Sequence, residues 1–223
     1  KATQIQRTPL ILSVLERFFV SQISILETQV SLEFYRIIND FRPMNLKRPS
    51  MVKKVAVVGP ESTGKSELSQ FLASQFNTAW VPEYARGYLD NLVRPYEQHD
   101  LLTIAHGQIR LEDVFEKDSN ELLICDTNLY VIKVWSEFKF GNCHPEILDY
   151  IATRKYDLYL LTYIDLPWIE DAHREHPNRR QELYNIYLRE MKNQTVPFVE
   201  IKGLGEERNR QAVEAVEKHL IKK

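Results

Sequence analysis

The sequence predicts an α/β protein with a mostly parallel, five-stranded sheet covered by helices on both faces, and three observations support this. Short apolar segments alternate with helical patterns from residue 53 onward, as in chains that form parallel sheets. Each apolar segment is rich in β-branched, leucine or aromatic side chains. The 223 residues, of which 43% are hydrophobic and 27% charged, suffice for one globular α/β domain with a short appendage.

The first 50 residues precede this alternation and predict one or two amphipathic helices. Apolar side chains recur every three or four residues between Leu12 and Phe41. Pro43 and Pro49 then mark a linker, because the residue before a proline disfavours helix. Residues 1–50 are therefore predicted to form a helical extension and residues 51–223 the main domain, for which Met51 would serve well as a natural start. Two interpretations stay open for the extension. It is either a helix pair for partner binding or oligomerisation, or a packing appendage or fragment of upstream sequence.

Five strands are predicted in the main domain, with helical patterns in the intervals between them. The predicted strands are residues 54–58, 79–82, 122–125, 158–161 and 198–201. Right-handed crossovers bring the carboxyl ends of parallel strands to one edge, where ligands of open α/β sheets bind. The residues that follow these strands are therefore the first candidates for a functional site.

The first strand leads into a G-x-x-x-x-G-K-S motif. Its residues are Gly59, Pro60, Glu61, Ser62, Thr63, Gly64, Lys65 and Ser66. A strand before the motif and a helix after it form the context that a phosphate-binding loop requires, because inward N–H groups and the helix N-terminus attract phosphate. Lys65 can reach the β and γ phosphates, and the Ser66 hydroxyl can hold Mg²⁺. The whole motif is thus predicted to bind ATP, which makes the fold a three-layer P-loop NTPase sandwich.

A carboxylate for the same magnesium ion is predicted at the end of the third strand. In P-loop enzymes, a strand beside the first ends in an acidic residue that completes the metal site, and Asp126 follows an apolar run directly. Thr127, the next residue, is predicted to contact the nucleotide. A helix cap before Asn128 is the alternative role for Asp126, and it is compatible with metal binding.

The acceptor side of the reaction is predicted after the second strand. A carboxylate at Glu83 could hold ribose hydroxyls and accept the proton of the attacking hydroxyl. The alternative is a first-turn carboxylate that complements the helix dipole. Arg86, one turn further on, is expected to pair with Glu83 or to contact phosphate.

A cluster of charged residues after the fourth strand predicts a lid. Phosphoryl transfer spreads negative charge over the transferred oxygens, so arginines on a closing segment stabilise it and exclude water. Arg174 and Arg179 are the first candidates for this catalytic role. A solvated helix start with ion pairs, such as Glu175 with Arg179, is the alternative.

Charge and cysteine content restrict the classes of partner. The net charge is −2, from 29 basic and 31 acidic residues, and no basic run suggests a nucleic-acid partner. No apolar run approaches the ~18 residues that span a bilayer. Cys125 and Cys143 lack the C-x-x-C spacing of a zinc or redox pair. A small-molecule substrate and a cytoplasmic location, with no membrane partner, are therefore expected.

The motifs resemble those of the NadR-type ribosylnicotinamide kinases. The segments GPESTGKS, PEYARGYL, ICDT, FGN, and LPW leading into Asp171 and Arg174, follow the order and intervals of that family over residues 53–218. The resemblance implies transfer of the ATP γ-phosphate to the 5′-hydroxyl of nicotinamide riboside, which gives nicotinamide mononucleotide for NAD salvage. One departure is Asn128, which stands where a second acidic residue is expected.

The resemblance also implies roles for individual residues. Glu83, with Tyr84 and Arg86, would bind the riboside, and Asp126 would serve the magnesium ion and the hydroxyl. Trp168 could stack on the pyridinium ring, since a cationic aromatic favours a tryptophan face. Trp168 is equally plausible as a core residue.

Two other functions stay open at this point. One is a P-loop kinase that phosphorylates another nucleoside or small metabolite. The other is an ATP-dependent regulatory switch, in which the amphipathic residues 10–41 report the nucleotide state to a partner.

Overall fold

The computed structural model describes residues 52–119 and 121–221, in which strands and helices alternate. The strands are β1 Lys53–Val58, β2 Ala79–Val81, β3 Leu122–Asp126, β4 Leu158–Thr162 and β5 Phe198–Ile201. The helices are α1 Lys65–Gln75, α2 Tyr84–Asp90, α3 Gln98–Asp118, α4 Leu129–Phe140, α5 Pro145–Thr153, α6 Arg180–Asn193 and α7 Gly205–Leu220. All five predicted strands are confirmed to within one residue at each end. The predicted helical extension, residues 1–50, lies outside the described residues.

The five strands form one sheet in the order β2-β3-β1-β4-β5, and every pairing is parallel. In this order β1 lies between β3 and β4, with Val57 beside Asp126 and Val58 beside Leu161. The loop after β1 therefore emerges between the carboxyl ends of its two neighbours. The chain moves to one side of β1 for β2 and β3, and to the other for β4 and β5, so this edge is the switch point of the sheet.

Helices cover both faces of the sheet, as the apolar strands require. Val55 and Val57 of β1 pack in a cluster with α1 and α7, while Ala56 and Val58 pack in another with α4 and α6. All four side chains are fully buried. Strands buried on both faces read as continuous apolar runs rather than as alternating ones, which is the pattern of β1. The predicted three-layer sandwich is confirmed.

The start of α3 is fixed by a buried carboxylate. Asp100 accepts a hydrogen bond from the backbone N–H of Glu97 at 2.7 Å and pairs with Arg94 at 2.7 Å. The Arg94 guanidinium beside Asp100 holds the pKa of that buried carboxyl well below its usual range. The capping box of α3 thus also fixes the chain at Tyr96, one residue before Glu97.

Within the part of the chain that the structure describes, every helix is too short or too polar to cross a bilayer.

Candidate active site

The loop between β1 and α1 has the backbone of a phosphate cradle. Gly59 has a φ of +143°, and a Cβ there would lie 2.4 Å from the Thr162 Oγ1. Ser62 and Gly64 also have positive φ values, 54° and 68°. Glycine removes the steric cost at two of these three turns. Lys65 then begins α1, and its Nζ donates to the Pro60 carbonyl at 2.9 Å.

Two arginines from distant helices support this loop from outside. Arg208 of α7, 4% exposed, donates to the carbonyl of Thr63 and pairs with Asp165 at 3.3 Å. Arg180, the first residue of α6, donates to the Ser62 carbonyl at 3.2 Å and to the Leu166 carbonyl at 2.8 Å. These two arginines thus hold the carbonyls of Ser62 and Thr63 from outside the loop.

The segment between β4 and α6, residues 163–179, is bound to the loop and occupies the place of the predicted lid. We call it the lid segment. The Glu61 carboxylate accepts from the backbone N–H groups of Glu175 and His176 at 3.1 and 3.0 Å. The Ser62 hydroxyl accepts from the Ile169 N–H at 2.9 Å. The side chains of Glu61 and Ser62 thus hold the lid segment, while the loop amides provide the phosphate cradle.

Asp126 ends β3 beside the phosphate loop and is buried. It is 1% exposed, and among the described residues its Oδ1 has no hydrogen-bond partner. Burial, and then the charge of Glu83, raises the pKa of this carboxyl to about 6, although the Ser66 hydroxyl and Lys65 act in the opposite direction. Divalent cations such as Mg²⁺ take oxygen ligands, so the free carboxylate oxygen and the Ser66 hydroxyl fit such an ion.

The residues after Asp126 resolve the alternative of a helix cap. Asn128 is the N-cap of α4, and its Oδ1 accepts from the Tyr130 N–H at 3.0 Å. The helix therefore does not use Asp126 as its cap. Asn128, the departure from the family pattern, has this structural role, while Thr127 is 4% exposed with a φ of +70° and lies outside the cavity lining.

Glu83 is the N-cap residue of α2 and makes no capping hydrogen bond through its side chain. Its side chain instead lines the central cavity. Arg86 also lines this cavity but pairs with Asp171 of the lid segment at 2.9 Å, so the expected ion pair with Glu83 is replaced by a contact between α2 and the lid segment. Tyr84 lies outside the lining, against Gly107 of α3.

The cavity has a volume of about 440 Å³ and two chemically different ends. The polar end is the phosphate loop from Gly59 to Glu67, with Arg174 at its rim. Arg174 donates to the Ile169 carbonyl at 2.5 Å and lies 3.4 Å from the Ser62 hydroxyl. The other end is mainly apolar and aromatic. Its side chains are Leu89, Val131, Trp135, Phe138, Leu183 and Tyr187. Glu83 lines the same cavity.

Five predicted site residues are not among those that line the cavity, namely Tyr84, Asp126, Thr127, Trp168 and Arg179. Arg179 pairs with Glu182, three residues on, at 2.8 Å, which matches the alternative of a solvated helix start. Trp168 is half-buried, and its ring centroid lies 6.0 Å from the Arg180 guanidinium. The tryptophan in the cavity lining is instead Trp135, whose position on α4 follows the spacing of any packed helix face and so gave no separate signal in the sequence.

The chain is similar to one family model and to several known proteins. A family model described as "AAA domain" (AAA_28) matches residues 54–208. The trifunctional NAD biosynthesis/regulator protein NadR of Salmonella typhimurium is 29% identical over 171 residues, which are 73% of this chain and 41% of that protein. The Escherichia coli protein of the same description is 28% identical over 170 residues, with the same coverage. The chain spans about two-fifths of these relatives.

Solved structures show the same fold. A crystal structure of NadR protein in complex with NR aligns with a TM-score of 0.67 and 23% identity, over 78% of this chain and 53% of that one. Thymidylate kinase from Candida albicans aligns with a TM-score of 0.55 and 15% identity, over 75% and 92% of the two chains. The similarity to NadR proteins that the motifs predict is confirmed, and the fold is that of P-loop kinases.

Proposed function

The chain belongs to the AAA domain family, whose model spans its phosphate loop and lid segment, and we propose that it is a nicotinamide riboside kinase. It transfers the γ-phosphate of ATP to the 5′-hydroxyl of the riboside and forms nicotinamide mononucleotide and ADP. One observation carries the proposal: a single cavity joins a complete phosphate loop to an aromatic end, and the carboxylate of Glu83 lines it as well. The similarity to NadR proteins, one of which is described in complex with NR, supports the pyridine riboside as acceptor.

The residues that line the cavity, together with Asp126 at the end of β3 beside the phosphate loop, divide the reaction between them. The loop amides and Lys65 bind the phosphates of ATP, with the Lys65 ammonium moving from the Pro60 carbonyl to the phosphates. Asp126 and Ser66 would hold Mg²⁺, which neutralises the charge that develops on the transferred group. Arg174, at the rim of the loop, contacts the same group from the lid segment.

Proton transfer is assigned to the acceptor side. The 5′-oxygen of the riboside forms the new bond to the γ-phosphorus, the bond to the β,γ-bridging oxygen breaks, and ADP leaves. The hydroxyl proton passes to the Glu83 carboxylate, which is available because it makes no capping hydrogen bond to α2. The aromatic end holds the pyridinium ring, because a cation is attracted to the face of an aromatic side chain.

An ADP-release assay across four acceptors tests the proposal. The acceptors are nicotinamide riboside, nicotinic acid riboside, thymidine and uridine. We expect turnover with the pyridine ribosides and none with Lys65→Ala, whose thermal denaturation should match that of the unmodified protein. Turnover with thymidine or uridine alone would show a kinase for another nucleoside. ATP binding without turnover on any acceptor would favour the regulatory switch.

A matched pair of variants tests which tryptophan binds the base. Trp135→Leu should raise the KM for nicotinamide riboside about tenfold, since a desolvated cation–aromatic contact contributes up to about 2 kcal/mol. Trp168→Leu should change this KM less than about twofold, because Trp168 lies outside the cavity lining. Thermal denaturation of both variants separates altered binding from loss of the fold. A larger rise in KM for Trp168→Leu than for Trp135→Leu would identify Trp168 as the residue that binds the base.

A further inference from the structure

Glu175 of the lid segment contacts the phosphate loop and, on its other side, two residues that adjoin the aromatic end of the cavity. Its backbone N–H donates to the Glu61 carboxylate of the phosphate loop at 3.1 Å. Its side chain accepts from the Tyr96 hydroxyl at 3.0 Å and from the Lys139 ammonium at 2.9 and 3.0 Å. Glu175 thereby connects the phosphate loop to the segment before α3 and to the end of α4.

The connection continues from Tyr96 to the aromatic end. The Trp135 Nε1–H donates to the Tyr96 hydroxyl at 2.7 Å, and the two ring centroids are 4.9 Å apart in an edge-to-face arrangement. Burial raises the pKa of Tyr96, so its hydroxyl keeps the proton that it donates to Glu175. Lys139 lies 3.7 Å from the centre of the Tyr96 ring and fixes the same group from above. The orientation of the Trp135 indole thus depends on the position of Glu175.

His176, the next residue, makes a second contact of the same kind. Its N–H donates to the same Glu61 oxygen at 3.0 Å, and its imidazole lies 4.9 Å from the ring of Phe138. Phe138 and Trp135 both line the aromatic end. Displacement of Glu61 when phosphates bind would therefore shift two aromatic side chains together, through two adjacent backbone amides.

From these contacts we infer that Glu175 is a positioning residue that couples nucleotide binding at the phosphate loop to acceptor binding at the aromatic end. The inference rests on the proposed function for the identity of the acceptor, but not for the coupling itself. The Glu175 and Lys139 side chains are 35% and 31% exposed, and an ion pair of that exposure contributes little to stability. Its removal should leave the fold intact and act on the coupling.

The first experiment needs no acceptor. A non-hydrolysable ATP analogue is added, and the emission of Trp135 is isolated by subtracting the Trp135→Phe signal, since Trp80 and Trp168 also emit. The analogue should change this emission in the unmodified protein, and the change should be lost in Glu175→Ala and Tyr96→Phe. Glu214→Ala, which removes a surface ion pair of α7 with Arg210, is the matched control and should behave like the unmodified protein.

The second experiment measures the coupling with the acceptor. Calorimetric titration of nicotinamide riboside, with and without saturating analogue, should show an affinity gain of about fivefold or more in the unmodified protein and in Glu214→Ala. Glu175→Ala should bring this gain close to one while each ligand alone binds within about threefold of its original affinity.

Two outcomes would overturn the inference, and a third concerns only the acceptor. An analogue-induced change of Trp135 emission that persists in Glu175→Ala would refute the coupling. If the analogue does not change the Trp135 emission of the unmodified protein, the coupling is also refuted. If the riboside does not bind but the emission change occurs and depends on Glu175, the coupling stands and the proposed acceptor is wrong.

Discussion

Replacement of Asp126 by asparagine should stabilise the magnesium-free protein and remove the proposed kinase activity. The carboxylate is 1% exposed, and in the described structure its Oδ1 lacks a hydrogen-bond partner. A buried charge without full compensation destabilises the folded state, and asparagine has nearly the same shape without the charge. The same substitution removes a ligand of the proposed magnesium site, so kcat should fall at least about 100-fold.

The magnitude follows from the pKa of this carboxyl. Burial, followed by the charge of Glu83, raises the pKa from 3.8 to about 6, a difference of about 2.2. At 1.36 kcal/mol for each pKa unit, the carboxylate destabilises the folded state by about 3 kcal/mol above pH 6. Below pH 6 the folded protein takes up the proton before the unfolded chain does, so this loss shrinks as the pH falls and is absent below 3.8.

The assay is denaturant unfolding in the presence of a chelator. At pH 7.5, Asp126→Asn should be more stable than the unmodified protein by about 1–3 kcal/mol, the lower figure allowing for the new amide's own need of partners. The difference should shrink toward zero near pH 4. Asp149→Asn, an exposed carboxylate of α5, should change stability by less than about 0.5 kcal/mol. A less stable variant at pH 7.5, or a difference that does not depend on pH, would refute the reasoning.

Two further predictions concern the loop and the lid segment. Gly59→Ala should destabilise the protein by at least about 2 kcal/mol in denaturant unfolding, because its φ is +143° and the new Cβ would lie 2.4 Å from the Thr162 Oγ1. Gly87→Ala in α2, where nothing lies within 4 Å, should instead stabilise by about 0.5–1 kcal/mol. Arg174→Ala should lower kcat for ADP release about 10- to 100-fold, whereas Arg179→Ala should stay within about threefold. Equal losses from the two arginines would contradict the placement of the lid segment.

The phosphate loop was the most predictable part of the site because the residues that determine its conformation are consecutive in the sequence. Eight consecutive residues, preceded by an apolar strand, dictate the turn, the glycine positions and the helix start. The parallel sheet and its two covered faces followed from apolar segments of the right length and from crossover rules, whereas the order of the strands came only from the structure. The position of Asp126 at the strand end followed in the same way.

The other end of the cavity depends on tertiary packing that the sequence does not display. Trp135 and Trp168 carry the same chemistry, and only the packing of α4 against the lid segment places the first at the cavity and leaves the second outside its lining. Arg174 and Arg179 both follow the fourth strand, yet Glu182 lies three residues from Arg179 and pairs with it. Side-chain direction, rather than sequence position, separates the members of each pair.

The contact between Arg208 and Thr63 has a consequence for synthesis on the ribosome. The two residues are 145 positions apart, and Arg208 belongs to the last helix of the described domain. Domains fold as units while the chain emerges from its N-terminal side. A nascent chain therefore exposes its phosphate loop early, but Arg208, which binds the Thr63 carbonyl of that loop, emerges only after β5. Until then the growing polypeptide should not capture ATP, and the nucleotide can stabilise only chains in which α7 has already emerged.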